Sequence, residues 1–149
     1  MKLSFVFLIL CLLFINSCVP HLNFTKHNER LAAKEAEKFA ETAFVKRNYE
    51  EAYKLLPKEV DAAFTVDSLR EMVTSMHPTY EYPTIIKATD YEVLPGQQQV
   101  NIYLTGDVFG KPLYYFLVMI GTEQKGYKVR SLYRSKEGAY PNSPLRKPL

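Results

Sequence analysis

Apolar residues recur at helical spacing through the first half of the chain and alternate through the second. From about Asn28 to Arg47, Ala32, Ala36, Phe39, Ala40 and Ala43 fall on one stripe, which predicts an amphipathic helix. Asn28 suits an N-cap, and Glu29 places an acid in the first turn. Arg30, Lys34, Glu37, Lys38 and Glu41 occupy the other faces and read as solvated. Asn48-x-x-Glu51 has the capping-box pattern, and Tyr49, Ala52, Tyr53 and Leu56 then share a face until Pro57 stops the helix. Thr65 caps a third helix, whose stripe is Val66, Leu69, Met72, Val73 and Met76. Pro78 and Pro83 bracket a loop that cannot be helical.

At Thr84 the period switches to two. Strands are predicted over 84–94, 98–105, 113–120 and 127–133, with a hairpin loop from Gly106 to Gly110. Such short links imply antiparallel pairing. Leu113 to Ile120 is apolar on both faces, which suits a central strand covered on both sides. Helices followed by a strand meander give an α+β fold, with the N-terminal helices packed on a curved four-stranded antiparallel sheet. Ser135 to Leu149 contains Pro141, Pro144 and Pro148 and little that would build a core, so it reads as a disordered tail.

The beginning of the chain carries a different signal. Lys2 precedes an apolar run from Leu3 to Phe14, and Ile15-Asn16-Ser17-Cys18 follows. A basic start, a short apolar stretch and a small residue before a candidate cut have the form of an export signal. With Cys18 directly after the cut, the segment resembles a bacterial lipoprotein signal. The helix and strand pattern places the domain over 28–134 and the tail over 135–149; the resemblance implies a signal peptide over 1–17 and a lipidated tether over 18–27. It also implies membrane attachment through acylated Cys18 on the periplasmic or extracytoplasmic side, each buried methylene adding about 0.8 kcal/mol to the anchor. Val19 is not the Asp that often marks inner-membrane retention, so the outer membrane is preferred for a Gram-negative cell. Cys11 would leave with the signal peptide, so the mature chain would have no pair for a disulfide.

Charge narrows the partners. The formal net charge is +3, and no segment clusters Lys and Arg among aromatics, which argues against a nucleic-acid partner.

Arg47-Asn48-Tyr49-Glu50-Glu51-Ala52-Tyr53-Lys54-Leu55-Leu56 forms a short polar link and then an aromatic-x-x-Ala-x-x-Leu helix. Thr65-Val66-Asp67-Ser68-Leu69 opens a third helix, and Gly126-Tyr127-Lys128-Val129 opens the last strand. In this order and spacing the three segments, over about residues 28 to 134, resemble the nuclear transport factor 2-like superfamily. That resemblance implies a cone-shaped α+β domain. The superfamily holds isomerases and cyclases as well as many small exported domains, so fold does not choose an activity.

Catalytic chemistry is hard to place. His21 and His27 lie in or beside the tether and His77 precedes Pro78, so a His–Asp pair has no obvious bearer. Asp61, Asp67, Asp90, Glu92 and Asp107 read as solvated or capping acids. No His, Cys and carboxylate cluster has metal-ligand spacing, and no glycine-rich loop would cradle a phosphate. No catalytic residue, metal or cofactor is therefore assigned. Tyrosines combine an apolar body with a hydroxyl tip, and Tyr53, Tyr91, Tyr103 and Tyr115 are the candidate lining of a ligand pocket. The expected function is non-enzymatic binding of a protein partner or a small apolar ligand. The alternatives are an isomerase- or cyclase-type enzyme with a Tyr/carboxylate pocket, or an envelope protein that dimerises through its sheet.

Overall fold

The computed structural model of the chain describes residues 26–58, 63–94, 98–136 and 138–149. Cys11, Cys18, Asp61 and the Pro95-Gly96 turn lie outside the described residues.

Helix α1, Glu29–Ala40, begins where Asn28 accepts a hydrogen bond from the Leu31 N–H at 3.0 Å. Asn28 also ties the helix start to the sheet. Its backbone N–H donates to the Tyr127 hydroxyl at 2.8 Å, and its side-chain amide donates to Glu123 at 2.7 Å. The expected alanine stripe is buried, with Ala33 added to it. Small side chains allow the helix to lie close on the sheet.

The predicted helix does not run on unchanged to Arg47. After Ala40 it widens into a π turn, Glu41–Val45, where the Lys46 N–H bonds back to the Glu41 carbonyl. The Thr42 hydroxyl donates to the Lys38 carbonyl at 2.7 Å, a side-chain bond that competes with the backbone ladder there. Arg47 then turns left-handed at φ 55°. Asn48 accepts from the Glu51 N–H and caps α2, Tyr49–Tyr53. The Glu51 carboxylate pairs with Lys54 instead of closing the box. Helix α3, Val66–Met76, has a full capping box between Thr65 and Ser68.

Five strands form one antiparallel sheet: β1 Ile85–Val93, β2 Gln99–Val108, β3 Lys111–Thr122, β4 Gly126–Arg134 and β5 Lys147–Pro148. Their order is β4-β3-β2-β1-β5. The helices cover one face. Between them and the sheet lie Phe39, Phe44, Leu69, Ile102, Leu104, Tyr115, Leu117 and Met119, all fully buried.

The sheet corrects two expectations. The hairpin turn is only Phe109-Gly110, with φ 50° and 81°, the left-handed pair whose twist suits a two-residue hairpin. Gly106 belongs to β2, paired with Ile86 and Leu113, and Pro83 lies close on it: a Cβ there would sit 2.8 Å from the Pro83 Cβ. Among the described residues the sheet has five strands rather than four, because the expected tail folds back. Lys147–Pro148 pairs with Asp90 and Tyr91 of β1, and Tyr140 packs onto the open face of the sheet. Polar contacts and aromatic edges hold this strap, which a search for apolar periodicity passes over.

Candidate functional site

At one end of the molecule, three connections meet: the exit of the π turn, the loop from α3 to β1, and the β2–β3 hairpin. Val45, Arg47, Tyr80, Tyr82, Phe109 and Lys111 line an open cleft of 560 Å³ there. Arg47, Tyr80 and Phe109 have φ of 55°, 56° and 50°, the positive values found at non-glycine residues among those described. Each such residue costs about 1–2 kcal/mol, so this end of the fold concentrates backbone strain. The neighbouring π turn is a further local irregularity of the kind that recurs at functional sites.

The cleft is aromatic and carries cations. Tyr80 is 79% exposed and Phe109 92% exposed. The Arg47 guanidinium lies 5.3 Å from the centre of the Tyr82 ring, within cation–π range. Tyr82 also stacks on His77, centroids 4.5 Å apart. Lys111 is exposed at the start of β3, and Glu81 is the one carboxylate of the lining among the described residues. An aromatic or aliphatic side chain could sit against exposed Tyr80 and Phe109 while Arg47 and Lys111 meet an anionic group.

His77 lies behind this wall. It follows α3 and is fully buried. Its Nδ1 is 2.7 Å from the Val73 carbonyl, and its Nε2 is 2.9 Å from the Tyr115 hydroxyl. A carbonyl only accepts, so Nδ1 carries the hydrogen and Nε2 accepts from Tyr115. Burial pushes the His77 pKa down, the Val73 bond opposes this, and the Arg134 charge adds to the fall. Burial likewise pushes the Tyr115 phenol up. The pair is a neutral, satisfied polar element of the core.

A second polar cluster lies on the opposite face of the sheet. Glu92, expected to be a solvated acid, is buried under the strap. It accepts from the Tyr103 hydroxyl at 2.7 Å, from the Asn101 amide at 3.2 Å and from the Ser143 hydroxyl. Burial alone would raise its pKa, but these three bonds and the Arg146 charge together hold it below the ordinary carboxylate value. Glu37 also departs from the solvated reading. Its carboxylate accepts from the Ala88 N–H at 2.8 Å, where the β1 register slips between Ala88 and Asp90.

The four tyrosines proposed as a pocket do not come together. Tyr115 points into the core, and Tyr103 points to the strap side of the sheet. Tyr53 on α2 donates to the Phe64 carbonyl at 2.8 Å, and Tyr91 packs at the core margin on β1. Tyr103 and Tyr115 belong to strands whose alternation assigns faces once register is known: Leu104, not Tyr103, pairs with Tyr115. The cleft residues were missed because they sit on connections without periodicity. A signal was nevertheless present in Tyr80 and Phe109, large aromatics within predicted loops.

Among the described residues, no helix is long and apolar enough to cross a membrane, and no group of three or more His, Cys, Asp or Glu could hold a metal ion. No protein-family model matches the chain, nor does any curated protein or solved structure.

Proposed function

We propose that the protein is a lipid-anchored binding module of the cell envelope, attached through Cys18, which recognises a partner protein with the aromatic cleft. The observation that carries this reading is the convergence of Arg47, Tyr80 and Phe109, all left-handed, on one open cleft. Large exposed aromatics with an adjacent Arg have the composition of interaction hot spots. Strained backbone that presents them is a cost the fold carries without any packing return at Phe109. The occupant fitted to this chemistry is a segment offering an apolar side chain beside a carboxylate.

The buried His77–Tyr115 and Glu92–Tyr103 pairs favour binding over an isomerase-type reaction, because each faces protein partners outside the cleft. The likeness to nuclear transport factor 2-like domains remains part of the proposal as a cone-like curvature of the helix-covered sheet. The Ile15-Asn16-Ser17-Cys18 segment supports export and acylation, with the outer membrane preferred in a Gram-negative cell.

Two measurements test the reading. A clickable fatty acid fed to cells should label the full chain and not Cys18→Ala; equal labelling overturns the anchor. A photo-crosslinking residue at position 109 should give one discrete adduct in the envelope. That adduct should disappear with Arg47→Glu and persist with Lys38→Ala. A ladder of adducts indifferent to Arg47 overturns the cleft.

A further inference from the structure

The strap, residues 138–149, meets the sheet through three side chains set three residues apart: Tyr140, Ser143 and Arg146. The Tyr140 hydroxyl shares hydrogen bonds with Thr89 at 2.7 Å and Thr105 at 2.6 Å. Its ring meets Tyr103 and Tyr114 edge-on, centroids 5.3 Å and 4.9 Å away. Ser143 donates to Glu92. The Arg146 guanidinium sits 5.6 Å from the Tyr103 ring centre and 5.2 Å from that of Tyr140, with its charge acting on Glu92. Backbone pairing is slight, confined to the two-residue β5 and a bond from the Leu149 N–H to the Thr89 carbonyl.

This is the contact pattern of a recognised peptide. Pro141, Asn142, Pro144 and Leu145 point to solvent while Tyr140, Ser143 and Arg146 enter the sheet surface. A segment kept only for folding would bury its apolar residues, whereas this one leaves Leu145 exposed and is fixed by polar readout. The receiving surface is built for more than the strap uses. Asn101 gives its amide N–H to Glu92, and its buried Oδ1 has no hydrogen-bond partner. A buried unpaired acceptor is unusual in a finished core. Here it stands beside the carboxylate that receives Ser143, ready for one more donor.

We propose that the sheet face around Glu92 and Tyr103 is a peptide-recognition site that the strap occupies as an intramolecular ligand. Its external ligand is a segment of a partner protein that carries a phenol, an aliphatic hydroxyl and a guanidinium at three-residue steps and turns, as the strap does at Pro144-Leu145, to present them on one side. Thr89 and Thr105 read the phenol, Tyr103 and Tyr114 wall its ring, Glu92 reads the hydroxyl, and the guanidinium lies over Tyr103 within reach of the Glu92 charge. The linked strap competes at high effective concentration, so an outside peptide gains access when the strap is weakened. The site lies on the face opposite the helices and stands or falls apart from the aromatic cleft.

A fluorescent synthetic peptide with the sequence of residues 138–149, titrated against the full chain, tests this. Binding to the Tyr140→Ala/Arg146→Ala chain should be about tenfold or more tighter than to wild type. Replacing Tyr, Ser and Arg in the peptide by Ala should abolish it. Adding Glu92→Gln to the loosened chain should weaken it about tenfold. Near-UV circular dichroism checks that each chain is folded, and Arg146→Ala alone serves if the double variant is not. Equal affinity for wild-type and loosened chains, or indifference to the three peptide side chains, overturns the proposal. Cleft variants such as Arg47→Glu should leave this binding unchanged.

Discussion

At the scale of single residues, His77 shows a titratable group converted into a core component by its partners. Both ring nitrogens are occupied, and burial holds its pKa below the ordinary 6.5. The unfolded chain therefore binds a proton that the native state refuses. Its contribution to stability is complete above the unfolded pKa and is lost as pH falls through and below it. Wild-type urea midpoints should drop between about pH 7.5 and about pH 5.5, and His77→Gln should flatten that drop. An unchanged slope in the variant would assign the titration elsewhere. Tyr115→Phe leaves the Nε2 acceptor buried without a donor and should cost about 1–3 kcal/mol at neutral pH. No local pattern announces this pair. His77 ends a helix and Tyr115 lies 38 residues later on a strand.

Elements were the most legible level. Asn28, Asn48 and Thr65 cap the helices at the residues predicted, since a cap depends on a few neighbouring backbone groups. The stripe on α1 gives a direct contrast. Phe39→Ala should lower stability by about 3–5 kcal/mol, because Phe39 is fully buried against Phe44. Lys38→Ala, one position away and exposed, should shift the urea midpoint little. The β3–β4 hairpin supplies a backbone test. Gly121 has φ 134°, and a Cβ there would lie 2.0 Å from the Gly126 carbonyl oxygen. Gly121→Ala should cost about 3 kcal/mol by thermal melt, combining strain and overpacking. The π turn escaped prediction because the Ala43 and Phe44 pattern fits an α-helix equally well; only the hydrogen bonds differ.

For the molecule as a whole, the strap decides what the open face of the sheet is. Leu113 to Ile120 is apolar on both sides, so something had to cover Tyr114 and Phe116. Tyr140 covers Tyr114, while Phe116 stacks on half-exposed Tyr133 at 4.5 Å. Glu92 couples that cover to acid. Its pKa is held below the ordinary 4.5, through bonds from Ser143 on the strap and from Tyr103 and Asn101 on β2, with Arg146 adding its charge. Asp90 and Tyr140 are the other ionisable groups nearby. A depressed carboxyl stabilises the native state above its unfolded pKa, and that stabilisation is lost as pH falls through the folded value. Amide exchange in residues 138–149, corrected for intrinsic rates, should accelerate below about pH 4.5. Glu92→Gln should already exchange faster at neutral pH. Protection that is flat through that range would separate strap docking from Glu92.

Periodicity in the sequence determined three helices, four strands of the sheet, their antiparallel order and most of the helix face that is buried. These follow from spacing and caps that act over a few residues. Tertiary structure alone decided the rest. Register put Tyr103 and Tyr115 on opposite faces and dissolved the four-tyrosine pocket, because one residue of offset reverses every side chain. Folding back of a proline-rich segment made the fifth strand and buried Glu92, through contacts about 50 residues apart in sequence that leave no local trace. Convergence of three connections assembled the aromatic cleft. Each connection alone reads as a turn, and only their meeting places Arg47, Tyr80 and Phe109 around one space.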